Sequence, residues 1–138
     1  MREIKFRAWD KQNKRMIEWD NLGCIALDDC LRGKSINYEL MQFTGLKDKN
    51  RIDIYEGDIV IMHDLLLNPD NNPEIEKIIK EIGIEDDDIK LEGEILKIEF
   101  IAGMFMLRNK KWSFNIGRFS RLQIEIVGNI YENPELIK

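Results

Sequence analysis

A single histidine, three serines and two cysteines among 138 residues leave little from which a catalytic site could be assembled. Hydrolytic chemistry needs a base beside a hydroxyl or thiol, and no spacing ties His63 to Ser35, Ser113 or Ser120. His63 is therefore expected to be an ordinary strand-end residue. Cys24 and Cys30 form neither a C-x-x-C redox pair nor a zinc knuckle, and a small secreted domain would normally carry more cysteines, so a reduced cytosolic compartment is expected. No basic stretch followed by an apolar one opens the chain, and no run approaches the length of a membrane span, so neither secretion nor membrane insertion is expected. Gly33-Lys34-Ser35 resembles the end of a phosphate loop, but Asp28 stands where that loop needs glycine and would repel a phosphate. Asp86-Asp87-Asp88 lacks the alternating ligands and central glycine of an EF-hand, and so offers only adventitious cation binding. The expectation is a protein that is not an enzyme, with no catalytic, cofactor-binding or metal-binding residue.

What the chain does have is enough apolar material for a core, since 43% of its residues are hydrophobic. One domain of this length buries roughly two thirds of its unfolded surface without needing disulfides or a structural metal. Charge is unevenly spread over the net −5. Residues 64–92 hold ten acids against three lysines, which leaves the rest of the chain at +2. Within that mildly basic body, Arg108, Lys110, Lys111, Arg118 and Arg121 occur with no acid among them and alternate with Trp112, Phe114 and Phe119. Cations interleaved with aromatics can hold phosphates while stacking bases. Against that stands an edge hairpin, in which lysine and arginine guard an open strand while Trp112, Phe114 and Ile116 at period two face a core.

Period two dominates elsewhere as well. Ile4, Phe6 and Ala8 alternate with Glu3, Lys5 and Arg7; Leu96, Ile98 and Phe100 face away from Lys97 and Glu99; Leu122, Ile124 and Ile126 face away from Gln123 and Glu125. Each predicts a half-buried strand. Shorter strands are expected over 15–19, 36–43, 58–62, 104–107 and 112–116, with turns at Asp10 to Lys14, Leu46 to Arg51, Ala102-Gly103 and Gly117. Many short strands with frequent turns point to a small barrel or sandwich. One segment departs from this pattern: Ile75, Ile78, Ile79 and Ile82 fall on one helical face, and Asn72 and Pro73 before them and Gly83 after them suit a helix over 73–82.

Three stretches resemble the signature blocks of the YopX family: Ile4 to Asp10 (IKFRAWD), Met41 to Val60 (MQFTGLKDKNRIDIYEGDIV) and Ile126 to Leu136 (IVGNIYENPEL). The resemblance implies a protein of bacterial phages or prophages with a mainly-β fold built on an SH3-type barrel. It implies no established activity and no catalytic residue. Two departures stand out. Arg51 follows Asn50 where the family pattern has glycine, and residues 64–92 read as an acidic, partly helical insertion.

The expectation is therefore an all-β, small SH3-like barrel with an inserted amphipathic helix, a single YopX-like domain over 1–138 with its insertion at about 64–92. It is read as a non-enzymatic binding or assembly module in the bacterial cytoplasm, forming a homo-oligomer and engaging an unknown host or phage protein. The alternative is an accessory protein that binds single-stranded nucleic acid. Either way the contact residues are Arg108, Lys110, Lys111, Trp112, Arg118, Phe119 and Arg121.

Overall fold

The structure, a computed structural model, describes residues 3–33, 37–63, 93–119 and 123–137. The helix expected over 73–82 and the acidic insertion lie outside the described residues, as do Arg121 and the side chain of Arg118. The described chain is all-β apart from short helical pieces. Its strands are β1 (Phe6–Asp10), β2 (Arg15–Ile17), β3 (Tyr38–Lys47), β4 (Asp53–Tyr55), β5 (Asp58–Met62), β6 (Ile95–Ile101), β7 (Met104–Arg108), β8 (Ser113–Asn115) and β9 (Ile124–Asn129). They form two antiparallel sheets, ordered β2-β1-β3-β4 and β8-β7-β6-β5-β9.

Alternation built most of these strands. Leu96 and Ile98 on β6, Leu107 on β7 and Ile124 on β9 meet Val60 and Met62 of β5 in the main core, together with Ile54 and Ile116. A second cluster forms under the other sheet from Met41, Phe43 and Tyr55, flanked by Trp9, Met16 and Tyr131. The Ala102-Gly103 turn joins β6 to β7 with φ 53 and 80, the paired positive angles that match strand twist in a two-residue hairpin. β3 runs on to Lys47, into the turn expected at Leu46 to Arg51, and carries a bulge after Phe43. Phe43 pairs with Tyr55 and Lys47 with Asp53, so the residues between are looped out, and Thr44 Oγ1 anchors the bulge by donating to the Ile54 carbonyl at 2.7 Å.

Two elements depart from the sequence expectation. β4 lies between the turn expected at Leu46 to Arg51 and the strand expected over 58–62, where no element is expected, and its pairing with β3 makes it a strand. Helix α1 (Cys24–Leu31) was not expected at all; it begins after Gly23 and lies against β3. Arg51 does occupy left-handed backbone, with φ 65, as the missing glycine suggests. The described residues that flank 64–92 are adjacent, because the Gly93 N–H donates to the Met62 carbonyl at 2.8 Å.

Candidate binding face

Of the cations singled out by sequence, Arg108, Lys110 and Lys111 line one cleft beside the β6–β7 hairpin. Lys97 and Arg108 are cross-strand neighbours, a pairing of like charges that would repel without an acid between them. Glu99 supplies it, with Oε1 at 2.5 Å from Lys97 Nζ and Oε2 at 3.0 Å from Arg108 Nη1. Burial alone would raise the Glu99 carboxyl, but the bonds and charges of Lys97 and Arg108 outweigh it and hold it below its ordinary value.

Beyond Arg108 the chain turns sharply around Asn109. Its Oδ1 accepts from the N–H groups of Lys111 and Trp112 at 2.8 and 2.6 Å, and its Nδ2 donates to Glu94 Oε2 and the Ile95 carbonyl, both at 3.1 Å. Such a turn, closed by a side chain on its own backbone, fixes the loop and leaves Lys110 and Lys111 exposed. A 3₁₀ turn at Pro134–Ile137 packs beside β6. Between it and the hairpin lies a cleft of about 500 Å³, lined by Ile95, Lys97, Glu99, Arg108, Asn109, Lys110, Lys111, Leu136 and Ile137.

The aromatic half of the stretch has a different fate. Trp112 stacks on Phe114 with centroids 5.5 Å apart, Phe119 meets Phe114 edge-on at 5.5 Å, and all three pack against the main core. Lys111 Nζ lies 5.2 Å from the centre of the Trp112 ring, a cation–π contact that occupies one ring face. The indole Nε1 of Trp112 is buried without a partner. The structure thus gathers Arg108, Lys110 and Lys111 at one cleft and draws Trp112 and Phe119 inward. It adds Lys97, Leu136 and Ile137, which the sequence reading missed. Lys97 was legible only as the polar side of a strand, and the other two reach the cleft through the path of the chain after β9.

The three signature-like blocks meet elsewhere, at a buried seam between the sheets. Arg7 on β1 is 8% exposed and pairs with Asp58 on β5 at 2.5 Å, its guanidinium 4.6 Å from the centre of the Tyr55 ring. Burial pushes the Asp58 carboxyl up, while Arg7 and the Tyr55 N–H, which donates to it at 2.8 Å, oppose that rise. Asp48 is fully buried and accepts from the N–H groups of Asn50, Ile52 and, across to β9, Ile126, at 2.8, 3.0 and 3.0 Å. Asn129 Oδ1 caps the turn after β9 by accepting from the Tyr131 and Glu132 N–H groups, and Tyr131 stacks on Trp9 at 5.4 Å. Gly128 accompanies a bulge in β9, and Asn133 fills the space a Cβ there would need.

His63 follows β5 directly. Its Nε2 lies 2.6 Å from Glu125 Oε2, which Lys49 also approaches at 3.7 Å. The His63 hydrogen bond holds the Glu125 carboxyl below its ordinary value. Among the described residues no group of three or more His, Cys, Asp or Glu side chains is arranged to hold a metal ion, and no helix is long and apolar enough to cross a membrane.

The family profile described as YopX protein matches residues 5–138. The chain belongs to the YopX family. Two solved structures of similar fold agree. A protein from Enterococcus faecalis, EF1440, is 23% identical with a TM-score of 0.61, and protein yopX from Bacillus subtilis is 19% identical with a TM-score of 0.55. In both comparisons all of each chain is covered. Among curated proteins none matches the sequence.

Proposed function

We propose that this YopX-family chain is a non-enzymatic binding module whose contact surface for a protein partner is the basic cleft beside β6 and β7. The observation that carries the reading is the separation of cations from aromatics: Lys97, Arg108, Lys110 and Lys111 line an open cleft, while Trp112, Phe114 and Phe119 pack on the core. Buried acids support it from the other side. Asp48 and Asp58 bind main-chain N–H groups that the fold must satisfy, which is a structural use of carboxylates rather than a catalytic one.

The finer parts of the reading follow from the family. The two sheets are taken as an SH3-like barrel carrying an inserted helix, and the module acts in the cytoplasm of a bacterial host during a phage or prophage programme. Self-association through the open edges at β2 and β8 belongs to the same reading. The test is affinity capture from phage-infected host cells with the full chain and with a Lys110→Glu/Lys111→Glu variant. A specific partner retained by the first and lost by the second is expected. Identical retention by both would remove the cleft from the account.

Single-stranded nucleic acid is the second reading, favoured by the placement of exposed Lys110 and Lys111 next to a half-buried Trp112. Under it, Trp112→Ala would weaken oligonucleotide binding by about 1–3 kcal/mol, the usual worth of one stacked base. Fluorescence anisotropy at two salt concentrations measures this. The first reading expects no such loss.

A further inference from the structure

The cleft has a chemical character narrower than a basic patch. Among the described residues four cations line it against one acid, Glu99, whose two oxygens are already engaged by Lys97 and Arg108. Lys110 is exposed and forms no ion pair among the described residues. Arg108 commits one Nη1 bond to Glu99, and a guanidinium has further donors in its planar fork for a second carboxylate. The rest of the lining is aliphatic: Ile95, Leu136 and Ile137 are all half-buried. Among the described residues no aromatic side chain contributes to the lining, and these residues offer no π-face on which a base could stack.

A ligand that fits must therefore supply carboxylates to the cations and branched apolar groups to the floor. We propose that the cleft is a docking groove for an acidic peptide segment carrying aliphatic side chains, such as Leu or Ile spaced between Asp or Glu. The proposal rests on the binding-module reading and names its partner's chemistry. Charge complementarity selects the peptide from solution and sets its register. Burial of its aliphatic side chains against Ile95, Leu136 and Ile137 supplies the affinity that a purely acidic chain would lack. The volume, about 500 Å³, lies within the range of pockets that hold compact ligands, which suits a few side chains of a longer segment. The turn closed by Asn109 holds Lys110 and Lys111 in place before binding, so little ordering of the loop opposes association.

The experiment is fluorescence anisotropy with the full chain and three labelled probes at low and physiological salt. The first probe is a short peptide alternating acidic residues with leucine, the second the same peptide with serine for leucine, and the third a single-stranded oligothymidylate of matched charge. The leucine peptide should bind about tenfold more tightly than the serine peptide, the return on one or two buried leucines. Lys110→Glu/Lys111→Glu should weaken it about tenfold or more and flatten its salt dependence. Ile137→Ser should abolish the preference for leucine over serine while leaving salt dependence intact. Thermal melts of each variant establish that the fold is retained. Equal binding of the leucine and serine peptides would reduce the site to non-specific charge and overturn the proposal. So would oligothymidylate binding as tight as the leucine peptide, or no peptide binding at low salt. If the peptides fail while the captured partner is still lost in the lysine variant, the partner's chemistry is wrong and the module reading stands.

Discussion

The seam and the cleft are both rich in charged residues, yet they use charge in opposite ways. At the seam Arg7, Asp48, Asp58 and Asn129 are each at most 8% exposed, and their partners are main-chain groups or each other across the two sheets. At the cleft Arg108, Lys110 and Lys111 are exposed, and the ion pairs are side chain to side chain on one hairpin. A buried polar group left without its partner costs its full desolvation, whereas an exposed pair exchanges easily with water. The seam therefore maintains the fold, and the face is free to meet a partner. The polar residues of the seam lie in the stretches that resemble family signature blocks, and there they hold the two sheets together.

The strongest way to break this contrast is Asp48→Ala. It leaves three main-chain donors, including the Ile126 N–H that ties the turn to β9, with no acceptor, and should cost about 3 kcal/mol or more in urea unfolding. Gly128→Ala comes next. A Cβ there would lie 2.7 Å from Asn133 Cγ and 2.9 Å from its Cβ, so the turn after β9 must shift, at a cost of about 1–3 kcal/mol. Arg51→Gly should act in the opposite direction. Relief of the left-handed backbone at φ 65 should stabilise by about 1 kcal/mol, read as a higher urea midpoint. A lower midpoint would show that the entropy glycine adds to the unfolded chain outweighs that relief.

Acid should separate the groups again. Asp10, Asp53, Glu99 and Glu125 all have carboxyls held below their ordinary values. For Asp53, burial acts upward but the hydrogen bonds and charges of Lys47 and Lys5 outweigh it. A lowered folded pKa means stability that is complete above the unfolded value of about 4 and is lost as pH falls through the folded value. Asp58 and Glu56 are raised by burial, and they act with the opposite sign, easing as they protonate. Stability should decline below about pH 4, and Asp53→Asn should make that decline shallower. An unchanged slope in unfolding midpoints across that range would remove Asp53 from the acid response. The smallest effect is expected from replacing residues 65–90 with a short Gly/Ser linker. Because Met62 and Gly93 are already bonded, closure costs little and a single cooperative melt should remain; loss of cooperativity would place the segment in the core.

How much of this was legible depended on range. Strands β1, β6 and β9 follow from local alternation, β5 and β7 from short runs rich in β-branched or aromatic residues bounded by turn formers, and Ala102-Gly103 and Arg51 from local backbone chemistry. β4 is three residues among turn formers, and only its partner makes it a strand. Helix α1 carries no clear apolar periodicity for a reader to find. The seam was not legible, because alternation places Arg7 outward and its decisive contact joins Arg7 to a residue 51 positions away. The cleft was half legible: the run from Arg108 to Lys111 announces itself, but the aliphatic floor comes from β6 and from the chain after β9. For Trp112 and Phe119 the same run left two readings open, since a list of residue types does not say which side of the hairpin meets the core.

The most direct test removes the same chemical group from each region. Asp58 and Glu99 are both carboxylates paired with arginine, at 2.5 and 3.0 Å, one at the seam and one at the face. Urea unfolding of Asp58→Ala and Glu99→Ala, measured side by side, should show a loss of about 3–5 kcal/mol for the first, which strands a buried guanidinium. The second should lose less than about 1 kcal/mol. Equal losses, or a larger loss at Glu99, would contradict the division between a seam that holds the fold and a face proposed to bind a partner.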